Sequence, residues 1–368
     1  YKTLQIAGQE AAADAGEKRV SVCCDAVISP FYRITFNANG EMETLYDREA
    51  ERQVDCGRPM NVFAAFEDKP QRFDAWDVDV YYKEKPYSPF VLTKREVVSQ
   101  GETAVIRSSW KFNRSVLTQD MIVYADDRRI DFVTTVDWKE KQVFLKAYFP
   151  VDVHAGEASY EIQFGNIRRP THTNTEWDFA RFEVPGHRWA DLSQGDYGVA
   201  ILNDCKYGYD VHENVLGLSL LKSAVRPDET ADRKVHHFTY SLYPHRGTAE
   251  KADVTKAAIN LNMPVLTQCV LADGQGESFV RYSFVHTDCG HILLDTVKLA
   301  EDGKSCVIRL YEYKNCSDDK AGLFFDRTVK RVTETNLCEE EEMEITVNGN
   351  GIAFAIGCYE IKTFKVYF

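Results

Sequence analysis

The sequence of 368 residues contains no apolar run that approaches the ~20 residues a membrane-spanning helix needs. It is also poor in basic residues: 44 lysines and arginines face 57 aspartates and glutamates, and the formal net charge is −13. Proteins that bind nucleic acid offer a basic face to the phosphate backbone. The composition therefore argues against a nucleic acid partner and against a membrane partner.

The cysteines lack the spacing of a zinc ribbon or a disulfide scaffold. There are ten of them, irregularly placed and without a Cys-x-x-Cys pair, at positions 23, 24, 56, 205, 269, 289, 306, 316, 338 and 358. Several fall in strand-like runs, for example Cys205 and Cys306, where a free thiol serves as a small apolar residue. We expect ten reduced thiols, few of them accessible in the folded chain, and a cytoplasmic location.

Helical periodicity is almost absent, and a two-residue alternation takes its place. Apolar side chains recur at every second position, as in half-buried strands, in three clear runs: Ile130–Trp138, Leu145–Val153 and Phe364–Phe368. Asn39-Gly40 and Asn348–Gly351 predict hairpin turns beside strand-like runs. Only Glu250–Ile259 resembles a short helix, and Pro264 limits its extent. The sequence predicts an all-β fold.

The length predicts two domains, because a single core rarely serves 368 residues. A strand pattern continues from about residue 25 to 265, which is too long for an immunoglobulin-sized sandwich and fits a larger two-sheet sandwich. A break near 258–264 precedes a second strand pattern. We therefore place a large β domain at 1–265, with 1–25 as a leading strand segment, and a small β-sandwich at 266–368.

One segment, Tyr160–Asp191, is unusually rich in side chains that bind polar ligands. Arginines, carboxylates, two imidazoles and two indoles are interleaved there, and no stretch is apolar enough to be plain core. Sugar sites combine flat aromatic faces for the C–H-lined rings with fixed polar groups for the hydroxyls. A buried polar network that ties a long loop to a sheet needs a similar mixture. The residues alone leave both interpretations open.

The same segment resembles the C-terminal region of the glycoside hydrolase family 38 α-mannosidases of the bacterial and cytosolic type. The resemblance rests on Arg169–Trp189, which reads RPTHTNTEWDFARFEVPGHRW, and on Leu202–Gly208, which reads LNDCKYG. Further blocks follow the family's order along most of the chain: Phe66–Asp68 with Asp74–Asp77, Leu145-Lys146 with Phe149-Pro150, Tyr240 with Tyr243–His245, Thr296–Lys298 with Glu301-Asp302, Arg309–Glu312, and Glu360–Phe364.

The resemblance implies a galactose-mutarotase-like supersandwich followed by a smaller C-terminal β-sandwich. It also implies that the chain is part of a longer enzyme that hydrolyses α-mannosides with retention. In that family an N-terminal α/β domain supplies an aspartate nucleophile and a zinc ion, and its His-x-His-x-Asp signature does not occur here. We expect no catalytic residue, metal or cofactor in this chain, with zinc in the missing domain. The expected partners are that catalytic domain and an α-mannoside or oligosaccharide; a homo-oligomer stays open.

We expect the chain to support the catalytic domain and to line one wall of its substrate cleft with Arg169, His172, Asn174 and Trp177. His172 and Asn174 should lie near a concave face, with Trp177 and Trp189 packed behind it. A stand-alone carbohydrate-binding module is the alternative function.

A second alternative is an aldose-1-epimerase-like enzyme, in which His172 or His187 and Glu183 exchange protons at the anomeric carbon. We expect Glu183, together with Glu176 and Asp178, to bond neighbouring arginines rather than to form a catalytic pair. The arginines concerned are Arg168, Arg169, Arg181 and Arg188.

Three further residues, His286, Asp288 and His291, are metal ligands by type and lie within six positions of one another. Alternation would place the first two on the same face of a strand. Because they fall in a strand that resembles a non-catalytic part of the family, we expect no metal there.

Overall fold

A computed structural model describes residues 19–23, 25–266, 282–301, 303–340 and 342–368. The chain forms two compact units, a large one from described residues up to 162 and from 166 to 265, and a small one from 163–165 and described residues from 266 onward. The predicted boundary at 265 lies two residues before 267–281, which fall outside the described ranges. Most of the predicted leading segment, 1–18, lies outside them as well.

Short antiparallel strands make up most of the large unit. In chain order they are β1 (Ser21–Cys23), β2 (Ala26–Ile28), β3 (Tyr32–Phe36), β4 (Met42–Asp47), β5 (Arg52–Gln53), β6 (Val62–Glu67), β7 (Val91–Ser99), β8 (Thr103–Phe112), β9 (Ser115–Tyr124), β10 (Ile130–Asp137), β11 (Val143–Pro150), β12 (Glu157–Ile162), β13 (Gly165–Pro170), β14 (Val184–Pro185), β15 (Trp189–Ser193), β16 (Tyr197–Asn203), β17 (Gly208–His212), β18 (Val215–Leu221) and β19 (Val235–Arg246).

These strands form three sheets. Nine strands lie in the order β13-β12-β15-β16-β19-β10-β9-β8-β7, five in the order β14-β17-β18-β11-β6, and five in the order β1-β2-β3-β4-β5. One continuous apolar core joins them. Phe132 of β10 shows how: its ring lies 5.1 Å from Tyr240 in the same sheet and 5.9 Å from Phe149 in β11 of the second sheet. The all-β prediction is confirmed.

Strand β11 is buried on both faces, although its alternation predicted a half-buried strand. Leu145, Ala147 and Phe149 face the main core as expected. On the other face, a 3₁₀ helix at Val80–Glu84 covers the strand, and the ring of Tyr82 lies 5.1 Å from that of Phe144. This cover comes from a distant part of the sequence, so periodicity within the strand does not reveal it.

Helices are few in the described part of the chain. Helix α1 (Glu176–Phe179) is a single turn, and α2 (Val254–Asn262) matches the short helix expected near Glu250–Ile259. Val254 and Ala258 of α2 pack against Trp189, which is 1% exposed. No helix among these residues is long and apolar enough to cross a membrane.

The small unit is a β structure with its own core. Its strands are β20 (Val285–Thr287), β21 (Ile292–Leu299), β22 (Cys306–Glu312), β23 (Asp318–Phe325), β24 (Arg331–Thr335), β25 (Met343–Ile345), β26 (Val347–Asn348), β27 (Gly351–Ile356) and β28 (Ile361–Tyr367). They form two sheets, ordered β20-β23-β27-β26 and β21-β22-β28-β24-β25. Residues of both sheets, such as Leu323 and Phe364, enclose one apolar cluster.

Seven cysteines whose side chains the structure describes are free, but they are less protected than expected. Cys205 follows the end of β16 and is exposed, as are Cys316, Cys338 and Cys358. Cys306 lies in a strand and is partly buried, as expected. The expectation of few accessible thiols was therefore wrong, because these four residues lie in the connections between strands.

Thiol titration should give at least four reactive groups in the native chain, because four described cysteines are exposed. In denaturant without reductant, the total should approach the ten thiols of the sequence. A total of six or fewer would mean at least two disulfides among the ten and would contradict the reduced state.

Candidate functional site

The loop that follows β13 is fixed at both ends. At its start, Thr171 donates its N–H to the Gly156 carbonyl at 3.1 Å and its hydroxyl to the Ala155 carbonyl at 2.7 Å. At its end, Thr175 caps α1: its hydroxyl accepts the Asp178 N–H at 3.2 Å and donates to the Asp178 carboxylate at 2.8 Å. The intervening residues are therefore held in one shape without belonging to a sheet.

A cavity of about 200 Å³ opens beside this loop. Its wall combines apolar with charged side chains, among them Val80, Phe182, Lys83, Arg181 and Asp210. Ligand pockets usually measure ~300–1,000 Å³. The cavity is therefore large enough for one small ring and too small for an oligosaccharide.

The structure brings two of the four predicted cleft residues to this cavity. Arg169 and His172 line it. Asn174 lies next to it and donates its backbone N–H to His172 Nδ1 at 3.4 Å. Trp177 is 80% exposed on α1. The prediction that Trp177 packs behind the loop was wrong, because the capped turn points this residue outward; Trp189 is packed, but against α2.

Arg169 is held in place by an aromatic face and a carbonyl. Its guanidinium lies 4.7 Å from the centre of the Tyr160 ring and donates to the Pro185 carbonyl at 2.8 Å. Burial lowers the pKa of Arg169 from its usual value and raises that of Tyr160. A guanidinium fixed in this way can present its remaining donors to a ligand in a constant direction.

A buried ionic cluster lies behind the cavity wall, centred on Lys146 of β11. The Lys146 ammonium is fully buried, bonds the Glu183 carboxylate and lies 3.5 Å from Asp210. Ser219 accepts from Lys146 at 3.0 Å and donates to Glu183 at 3.0 Å, and Tyr82 donates to Glu183 at 2.6 Å.

The pKa values of the two carboxyls in this cluster shift in opposite directions. Burial raises the pKa of Glu183, and the nearby charge of Asp210 adds to the rise despite Lys146. Burial would raise the pKa of Asp210 too, but Lys146 and Lys83 outweigh it and hold that pKa below its usual value. Asp210 therefore stays ionised at neutral pH, where it can accept hydrogen bonds from hydroxyl groups but cannot serve as a general acid.

The predicted network of carboxylates and neighbouring arginines was wrong in its partners. Glu183 pairs with Lys146, and Asp178 bonds Thr175. Arg188 pairs with Glu161 at 2.5 Å, while Arg168 lies 3.8 Å from Glu250. Lys146 and Glu250 lie outside the segment because the fold brings residues distant in sequence together, whereas Glu161 and Thr175 lie within it.

The structure does not favour the epimerase alternative. Glu183 accepts hydrogen bonds from Tyr82, Lys146 and Ser219, and neither histidine is among these partners. His172 lies 3.6 Å from Asp178, and the ring of His187 lies 5.4 Å from that of Tyr207.

Lys146, Lys83 and Asp210 did not emerge from the sequence as site residues. Lys146 carried a usable signal: it is a lone charge in the apolar run Val143–Pro150, and a charge buried in this way needs a partner. Nothing local indicates that Asp210 is this partner.

His286, Asp288 and His291, at which no metal was expected, do not come together as one cluster. His286 stacks on the ring of Phe324 at 5.5 Å, and Asp288 accepts the Gly322 N–H at 3.0 Å. His291 instead lies beside Cys289 and Asp318.

Family models match both units of the chain. The model described as "Glycosyl hydrolases family 38 C-terminal domain" matches residues 28–230, more than half of the chain. The chain belongs to glycosyl hydrolase family 38. The model of the family's C-terminal β-sandwich domain matches residues 291–364. The family resemblance read from the sequence is thus confirmed, and the chain corresponds to the C-terminal part of such an enzyme.

Curated relatives of this family 38 chain are α-mannosidases. Alpha-mannosidase G of Dictyostelium discoideum is 38% identical over 349 residues, which cover 91% of this chain and 32% of that protein. Alpha-mannosidase 2C1 of Homo sapiens is 40% identical over 291 residues, covering 76% of this chain and 27% of that protein. The chain thus spans about a third of the length of the curated relatives it matches.

Among solved structures, an α-mannosidase from Enterococcus faecalis V583 is similar in fold. The TM-score is 0.73 at 14% identity, and the match covers 93% of this chain and 42% of that one. At this identity the likeness shows the fold alone.

Proposed function

We propose that this chain is the C-terminal β region of a retaining α-mannosidase and acts together with a catalytic region of the same gene product. One observation carries the proposal: both family 38 C-terminal models match in order, while relatives named α-mannosidases are about three times as long. The aspartate nucleophile and the zinc ion belong to the catalytic region. The test is α-mannoside hydrolysis by the whole gene product and by this chain.

The cavity beside the β13 loop is the part of this chain that contributes to the substrate cleft. Arg169, His172 and ionised Asp210 offer fixed donors and an acceptor for hydroxyl groups, while Phe182 and Val184 supply apolar surface for C–H groups. Its volume of about 200 Å³ suits a single ring, so this wall holds one sugar unit of a longer substrate.

A cytoplasmic setting is part of the proposal. Free cysteines in the described part of the chain support it, because disulfides are rare in a reducing compartment.

A carbohydrate-binding module that acts alone is the second candidate, and the cavity itself favours it. Mannose-binding isotherms of this chain separate the two candidates. A module binds mannose without any other region, whereas a partial cleft wall binds it only within the whole protein.

His172→Ala in the whole gene product should lower kcat/KM for an aryl α-mannoside at least tenfold, about 1.4 kcal/mol of transition-state stabilisation. The physical reason is loss of a hydrogen-bonding group from the cavity wall. The unfolding midpoint should hardly change, because the His172 side chain is substantially exposed.

The matched control is His237→Ala, which removes an exposed histidine that bonds Thr135 on β10. This control should keep the original kcat/KM. Equal activity of the two variants would place the loop outside the cleft and leave it a structural role.

A further inference from the structure

Three side chains of the small unit that commonly bind metals converge at one point. Cys289 and His291 lie in the turn between β20 and β21, and Asp318 is the first residue of β23. One ligand atom from each, the thiol sulfur, an imidazole nitrogen and a carboxylate oxygen, lies within 4.8 Å of the other two. Sulfur, nitrogen and oxygen donors together form a set that binds zinc well.

Two of the three separations between the ligand atoms fit tetrahedral coordination. Zinc–ligand bonds of ~2.3 Å to sulfur and ~2.0–2.2 Å to nitrogen and oxygen place tetrahedral ligands about 3.4 Å apart for N and O and about 3.6 Å for S and O. His291 Nε2 lies 3.6 Å from Asp318 Oδ2. The Cys289 thiol donates to the same oxygen at 3.6 Å and to Asp288 Oδ1 at 3.1 Å, so zinc would replace these two thiol hydrogen bonds. A direct N–H···O hydrogen bond would be shorter, near 2.9 Å.

One imidazole nitrogen of His291 is buried at this point without a hydrogen bond. Its Nε2 atom is shielded from solvent and has no hydrogen-bond partner among the residues that the structure describes. A buried polar atom without a partner costs about 1–3 kcal/mol, so native proteins rarely leave one. A metal ion between Nε2, Sγ and Oδ2 would satisfy this nitrogen.

Local hydrogen bonds fix the Asp318 side chain and the backbone of the turn that carries Cys289 and His291. The Lys320 N–H donates to Asp318 Oδ1 at 2.8 Å, which leaves Oδ2 directed at the cluster. Tyr313 holds the turn, since its hydroxyl donates to the Gly290 carbonyl at 3.0 Å and its N–H to the His291 carbonyl at 3.1 Å. Binding would therefore require little rearrangement of the backbone.

We propose that Cys289 Sγ, His291 Nε2 and Asp318 Oδ2 bind one divalent zinc ion. The thiol loses its proton to solvent as the Zn–S bond forms, and water fills the fourth position. No oxidation state changes. The ion ties the turn before β21 to the start of β23, so it stabilises the small unit independently of the proposed mannosidase function.

Cobalt(II) titration of the metal-free 368-residue chain tests the site, because a Co–thiolate bond gives a near-ultraviolet charge-transfer band that water-bound cobalt lacks. We expect one equivalent of this band per chain, displaced by zinc. Cys289→Ser should abolish it. His291→Ala and the nearly isosteric Asp318→Asn should weaken cobalt affinity at least tenfold, with circular dichroism confirming that each variant is folded.

Cys338→Ser is the matched control, because Cys338 is a free and exposed thiol in another turn of the same unit. It should keep the band and the affinity. Zinc should raise the melting temperature of the original chain and of this control, but not that of His291→Ala. Absence of the band in the original chain, or its persistence in Cys289→Ser, would overturn the proposal.

Discussion

Replacing Lys146 by methionine should lower the free energy of unfolding of the chain by about 3–5 kcal/mol. The Lys146 ammonium is fully buried and lies between Glu183 and Asp210, while Lys83 also pairs with Asp210. Methionine has a similar volume but leaves two buried carboxyls without their shared cation. One of them must then take up a proton or admit water, and both outcomes destabilise the fold. Denaturant unfolding followed by tryptophan fluorescence measures the effect.

Lys85→Met is the matched control. Lys85 pairs with Glu67 at 3.0 Å, but its side chain is mostly exposed, and such pairs contribute less than about 1 kcal/mol. The double change Lys146→Met with Glu183→Gln should recover part of the lost free energy of unfolding. It removes one of the two buried carboxylates that Lys146 pairs with in the original chain. A loss below about 1 kcal/mol for Lys146→Met alone would show that the cluster does not depend on this lysine.

The sequence was most informative where structure depends on near neighbours. The alternation in β10 correctly predicted that Phe132 and Val136 point into the core while Val133 faces outward. The Asn39-Gly40 pair correctly marked the hairpin between β3 and β4, where Gly40 has a φ of +76° that favours glycine.

The sequence was least informative where residues in contact are distant along the chain. Strand β11 is buried on both faces because Tyr82 covers its second face. The buried charge of Lys146 forms ion pairs with Glu183 and Asp210. These contacts depend on the order of strands in the sheet, which the alternation within one strand does not encode.

In the candidate site, too, the sequence predicted some features correctly and others wrongly. The family resemblance led to the segment that contains Arg169 and His172, and both line the cavity. Trp177 lies in the same segment, yet the Thr175 cap turns it toward the exterior. Chemical type selected the right stretch, but only the backbone geometry separates the residues that face the cavity from those that face outward.

The isolated chain should not hydrolyse an aryl α-mannoside at any zinc concentration, because the account places the nucleophile in another region of the gene product. Retaining hydrolysis requires a covalent glycosyl intermediate on a carboxylate. In this chain Glu183 and Asp210 are engaged by lysines instead. The loss relative to the whole gene product should therefore be complete within detection.

The most direct test of the account is a side-by-side assay of aryl α-mannoside hydrolysis by the whole gene product and by this 368-residue chain, at equal molar concentration and with zinc present. We expect turnover by the whole gene product and none above buffer by the chain. Turnover by the chain that survives repurification, or an inactive whole gene product that is folded and zinc-loaded, would contradict it.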